Sequence, residues 1–220
     1  MINQEQHQTG LQKCRYGIAM MQDGQLIHAV RQMRDSIATL QRDLETQTSD
    51  ERRDHLSYPQ IISVPIEYDL ESKETAASPN NDFPLCMRCF DTNVLVCDDN
   101  EMVACVLMYN FAVAVHLHGI STGKGRHFQR AFLLYKKAKL MVESKWGDAR
   151  YAHLTLALWT NLGHISSHLM MHEEVGFCRH NIRMLLETVP ETCLSTRDSL
   201  FFYGLLVQDL GMICKNAAAA

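Results

Sequence analysis

The chain has no apolar run fit to span a bilayer. The longest, Val103 to Leu117, is broken by Asn110 and His116 and falls short of the roughly 20 residues that a crossing helix needs. It shows no targeting segment: the opening MINQEQHQTG is polar throughout, with no apolar stretch behind a basic start. It also lacks an excess of one charge. The net charge of -4 is spread over mixed signs, without the basic stripe that phosphate binding requires, so neither nucleic acid nor membrane is the expected partner. The cysteines (Cys14, Cys86, Cys89, Cys97, Cys105, Cys178, Cys193 and Cys214) follow no secretion signal, and several sit inside helical patterns. They read as reduced, mostly buried thiols of a cytosolic or nuclear protein. What is present is ample core material. With 220 residues, 46% of them hydrophobic and 21% charged, the chain suits one domain or one repeat array with an insertion.

Apolar spacing predicts the organisation. Residues 1–9 carry no pattern and are expected to be disordered. Residues 10–47 read as a helix hairpin: Leu11, Cys14, Gly17, Ile18 and Met21 on one helix, Leu26, Ala29, Val30, Met33, Ile37, Leu40 and Leu44 on the next, with Gly24 as the stop. Residues 48–100 read as an insertion. Its polar stretches TQTSDERRDHLSYP and ESKETAASPNND flank QIISVPIEY, and FPLCMRCFDTNVLV follows. The two β-rich pieces are expected to pair as a small antiparallel ribbon packed on the helices, with Pro65 marking an edge strand. The helical period then returns over 101–215, with helices expected at about 101–118, 127–144, 150–170, 173–188 and a capping helix at 196–214 opened by Ser195-x-x-Asp198; a short tail, 216–220, follows.

Laid over one another, the helix pairs repeat. The first offers Tyr16-Gly17, Gly24, Leu26, Ala29, Met33 and Ser36. The second offers Asn110-Phe111-Ala112, Val115 and Gly119, then Ala131, Tyr135 and Ala138. The third offers Asn161-Leu162-Gly163, then Val175 and Ile182. Small residues let two helices approach, and a large one fills the hole opposite. The arrangement resembles the tetratricopeptide repeat, whose period is about 34 residues. Here Val115 and Ala131 stand farther apart than in that family, which assigns the extra residues of ISTGKGRHF to an enlarged turn, and Met170 stands where the family has a turn glycine. The resemblance implies an all-α fold of antiparallel hairpins stacked as a short right-handed superhelix. It also implies that a partner protein lies along the inner helices as an extended peptide or helix. The matching positions are Tyr109, Asn110, Val113, His116, Thr160, Asn161, His164 and His168. Asn110 and Asn161 fall in the slot from which such proteins hydrogen-bond a ligand's backbone. They are therefore expected to be surface residues that act only with a ligand. The basic residues that would clamp a terminal carboxylate are missing from the neighbouring slots.

Candidate chemistry is weaker. Cys86-x-x-Cys89 has metal-like spacing but needs two more ligands. His116 and His118, two apart on a helix, diverge by about 200°, and a strand over 86–90 would put the two cysteines on opposite faces. Cys178 and His180 share a segment but not a face, as a thiol catalyst would need. Gly123-Lys124-Gly125-Arg126 lacks the glycine spacing and the hydroxyl residue of a phosphate loop. His164, His168 and His172 form one helical stripe, expected to line a groove or an interface, and Met20, Met21, Met33, Met170, Met171 and Met184 read as core filler. The sequence reading is thus a protein-binding scaffold with no catalytic residues, cofactor, metal or small-molecule substrate. The alternatives are a permanent structural subunit covered along helix faces such as Leu200 to Leu206, or a thiol- or zinc-dependent enzyme.

Overall fold

The computed structural model describes residues 2–46, 63–66, 85–86, 88–92, 100–145, 148–189, 194 and 202. Of these, 85% are helical, as the all-α expectation requires. The helices are α1 (Ile2–Gln22), α2 (Leu26–Thr46), α3 (Asn100–Thr122), α4 (Gly125–Val142), α5 (Ala152–His168) and α6 (His172–Thr188), with short 3-10 turns at Glu143–Lys145 and Ala149–Tyr151. The polar loops of the insertion, Cys97, Cys193, Cys214, most of the expected helix 196–214 and the tail 216–220 lie outside the described residues. Phe202 is described, helical and buried.

Each helix packs on its predecessor. α1–α2, α3–α4 and α5–α6 form hairpins, which meet one another through α2–α3 and α4–α5, with α1–α3 and α3–α5 also touching. Small residues set the approach within the hairpins. A side chain on Gly17 would stand 3.0 Å from Met33, and the Ser36 hydroxyl donates to the Gly10 carbonyl at 2.7 Å. Ala131, Tyr135, Ala138 and Val142 form the buried stripe of α4. α3 extends beyond the Val103–Leu117 run that the sequence reading takes as too short, and by length and composition it is long and apolar enough to cross a membrane. It is nonetheless mostly buried as the central helix. Tyr16, by contrast, is exposed and fills no hole.

Helix ends correct the sequence reading in three places. α1 begins at Ile2, ahead of the expected residue 10, because Gln and Glu sustain a helix without an apolar pattern. The extra residues of the second pair form no enlarged turn. They lengthen α3 to Thr122 and advance α4 to Gly125, leaving Gly123 and Lys124 as the link. Gly119 is accordingly a helix residue, where an added side chain would meet the Phe128 ring at 3.2 Å.

The residues that close α1, α3 and α5 are Gly24, Gly123 and Met170, all left-handed with φ of 72°, 64° and 58°. α1 and α5 close with the same bond geometry: Gln25 N–H to the Met20 carbonyl at 2.8 Å, and Met171 N–H to the Ser166 carbonyl at 2.9 Å. The third hairpin uses the backbone conformation of the other two with a residue that disfavours it.

The expected ribbon is present. β1 (Ser63–Pro65) and β2 (Arg88–Phe90) pair antiparallel, in the register Ser63↔Phe90, Val64↔Cys89 and Pro65↔Arg88. β2 packs against α3, and the Gln22 side chain at the end of α1 donates to the Pro65 carbonyl at 3.2 Å.

Met170 is 69% exposed, so replacing it loses little packing. Met170→Gly is expected to raise the unfolding free energy by up to about 1 kcal/mol by relieving the left-handed strain. Urea unfolding measures this, and a destabilised variant would contradict the strain argument.

Candidate functional site

Residues 85–86 and 88–92, which include β2, lie against the helices, and two asparagines hold them. Asn161 on α5 accepts from the Cys86 N–H (2.8 Å) and donates to the Cys86 carbonyl (3.2 Å) and the Tyr109 hydroxyl (3.0 Å). Asn110 on α3 accepts from the Phe90 N–H (2.9 Å) and donates to the Phe90 carbonyl (2.8 Å) and the Cys14 sulfur (3.5 Å). A side-chain amide has one acceptor oxygen and two donor hydrogens, and each asparagine uses all of these functions. The segment is thus held at Cys86 by α5 and at Phe90 by α3. Thr92 then donates to the Leu11 carbonyl of α1 at 3.2 Å. Phe90 is fully buried, with its ring 5.1 Å from Tyr109 and 5.2 Å from His153.

These contacts correct the expected exposure. Tyr109, Asn110, Val113, His116, Thr160, Asn161 and His164 are all buried, and only His168 is half-buried. The asparagines do bond a peptide backbone, but it is the chain's own. Thr160 bonds its own helix, donating to the Leu156 carbonyl at 2.8 Å, and Val113 is core. Sequence reasoning missed Cys86, Phe90 and Cys14 as the partners. The available signal was the apolar cluster of FPLCMRCF beside polar ESKETAASPNND, since such a cluster needs burial.

The alternation argument for the cysteine pair also fails, because β2 starts only at Arg88. Cys86 and Cys89 are both fully buried. Burial pushes the Cys14 thiol up to about 12 and the Cys89 thiol well above its ordinary value, the latter reinforced by Cys14 and Cys86 nearby. Cys105 and Cys178 are likewise raised to about 12 by burial. At neutral pH these sulfurs are protonated, the poorly nucleophilic form. Among the described residues, no group of three or more His, Cys, Asp or Glu side chains is placed to hold a metal ion.

The histidines form a second constellation beside the clamp. His116 Nδ1 lies 3.3 Å from the Tyr135 hydroxyl, and His116 Nε2 lies 3.1 Å from His164 Nδ1. His168 sits edge-on to His164, 4.7 Å between centroids, and stacks on Phe128 at 4.8 Å. Both contacts can be hydrogen bonds with His116 and His164 neutral, Tyr135 donating to His116 and His116 to His164, or the relay running the other way. Burial enforces neutrality. It lowers His116 to about 3, aided by His168, and drives His164 well below the ordinary value, aided by His116 and His168; His168 is lowered by burial too. His172 opens α6 and is exposed, so the three-histidine stripe ends at His168.

The neutral row fixes a sign for pH dependence. These groups bind protons more readily in the unfolded chain, so their contribution is complete above the ordinary histidine pKa of about 6.5 and is lost as pH falls below it. Stability is expected to decline from pH 6.5 towards 4, by at most about 1.4 kcal/mol per pH unit for each histidine held neutral. Urea unfolding across that range measures the slope, and His164→Gln is expected to flatten it. A slope of the opposite sign, or one untouched by His164→Gln, would contradict the neutral row. Beside this geometry, no family model, no curated protein and no solved structure matches the chain.

Proposed function

We propose that the chain is a protein-interaction scaffold built as a short tetratricopeptide-like array, whose inner helices α1, α3 and α5 grip an extended peptide. One observation carries the reading: Asn110 and Asn161, on successive inner helices, each bind the N–H and C=O of a single residue, Phe90 in β2 and Cys86 just before it. An amide side chain presents the same donor and acceptor as a neighbouring strand, so it recognises backbone whatever the sequence. Residues 85–92 occupy this place in cis. A partner peptide on the same face would take over their bonds. The recurring left-handed closures at Gly24, Gly123 and Met170 support the repeat architecture. The reading is of a binding protein, not a catalyst, working in a reducing compartment such as cytosol or nucleus, where its buried thiols stay reduced.

The second reading, a permanent subunit of a larger complex, draws on large apolar side chains left exposed at Ile27, Leu133, Leu140, Phe177 and Met184. A trans-peptide experiment separates the two. Phe90→Ala removes a buried ring, a change that costs about 3–5 kcal/mol in a packed core, and so weakens the cis segment. A labelled synthetic peptide, FPLCMRCFDTNV, is expected to bind this variant one to one once circular dichroism shows it helical. It should bind the unaltered chain far more weakly, and lose binding when Asn110→Ala and Asn161→Ala are added. A helical Phe90→Ala protein that takes up no peptide, or takes it up regardless of the asparagines, would make the inner face a sealed core.

A further inference from the structure

The outward side of α4 carries a pattern that neither the core nor the inner face uses. Within Gly125–Val142 the helix holds Arg126, Arg130, Lys136, Lys137 and Lys139 and no acidic residue, in a chain whose net charge is -4. Arg126, Arg130, Leu133, Lys137 and Leu140 follow one another at steps of four, three, four and three, which places them on a single face opposite the buried Ala131, Tyr135, Ala138 and Val142. All five are exposed, Leu133 at 60% and Leu140 at 65%. Among the described residues the ion pair made by this helix is that of Lys139 with Glu143, at 3.8 Å. Arg130 and Lys136 lie over the rings of Phe111 and Phe132, at 5.3 and 5.2 Å, which steadies their charges beside the leucines.

We propose that this stripe docks an acidic amphipathic α-helix of another protein, with apolar residues seven apart and Asp or Glu flanking them. The inference uses a different face from the asparagine clamp and stands whether or not the inner face accepts a peptide. The spacing selects the partner's form. Leu133 and Leu140, one heptad apart, give a second helix two apolar contact points, and the cations that alternate with them at Arg130 and Lys137 choose its sign. Arg126, Arg130, Lys136 and Lys137, in no ion pair among the described residues, choose an acidic one. A phosphate backbone would leave the leucines unused, and a bilayer would find no exposed aromatic anchor on the stripe.

The probe is a labelled synthetic helix of about three heptads, with leucines at its seam and glutamates flanking them. A matched peptide carries lysines in place of the glutamates, and binding to the full chain is read by fluorescence anisotropy. The glutamate peptide is expected to bind at least about tenfold more tightly than the lysine peptide, and to weaken several-fold as salt is raised from about 0.05 to 0.5 M. Leu133→Asp with Leu140→Asp should cost about tenfold or more, because it removes the apolar seam. Lys136→Glu with Lys137→Glu should shift preference towards the lysine peptide. If the aspartates disturb the circular dichroism spectrum, Leu133→Gln with Leu140→Gln replaces them. Equal affinity for both peptides, or binding indifferent to all of these substitutions, overturns the proposal. So does binding of phosphatidylserine vesicles through the same residues without a peptide preference.

Discussion

The arrangement depends on two side-chain amides facing two backbone residues. An extended segment laid on apolar helices must bury N–H and C=O groups that water can no longer reach, and each orphaned group costs about 1–3 kcal/mol. Asn110 and Asn161 remove that cost at Phe90 and Cys86, matching one donor and one acceptor at each point. With the backbone satisfied, the segment can bury Cys86, Cys89, Phe90 and Thr92 against the helices. The ribbon follows from the same fact. A two-stranded hairpin is marginal alone, and β2 becomes dependable because α3 supplies what a third strand would.

Around this clamp the helices are arranged by side-chain size. Glycine and serine let α1 and α2 close together, while Tyr135 and the histidine row fill the junction of α3, α4 and α5. A neutral row of imidazoles can be buried there because the rings satisfy one another. The three hairpin links share a left-handed residue, even where Met170 must adopt a conformation better suited to glycine.

Much of the helical frame was legible in the sequence, and for one reason: the apolar period marks a buried face wherever a helix has one buried and one exposed side. It places α2, α4 and α6 closely, and it finds the ribbon pieces from their β-branched and aromatic content. It places the start of α3 closely but stops the helix short of Thr122, because a helix buried all round has no period to stop. Gly119 imitates a turn glycine, because a small residue at a close helix contact and a glycine at a helix end look alike in sequence. The partners of Asn110 and Asn161 were not legible. An asparagine on an inner helix reads the same whether it awaits a ligand or holds the chain's own strand 75 residues away, as Asn161 holds Cys86.

The most direct test of the clamp is hydrogen exchange at the Phe90 amide, measured with the unfolding free energy in Asn110→Ala and in the unaltered chain. The account predicts that the substitution lowers stability by about 1–3 kcal/mol. It also predicts that protection is lost at Phe90 while the α1–α2 hairpin stays protected. Stability unchanged within about 0.5 kcal/mol, with Phe90 exchanging as slowly as before, would mean that the asparagine does not hold the segment.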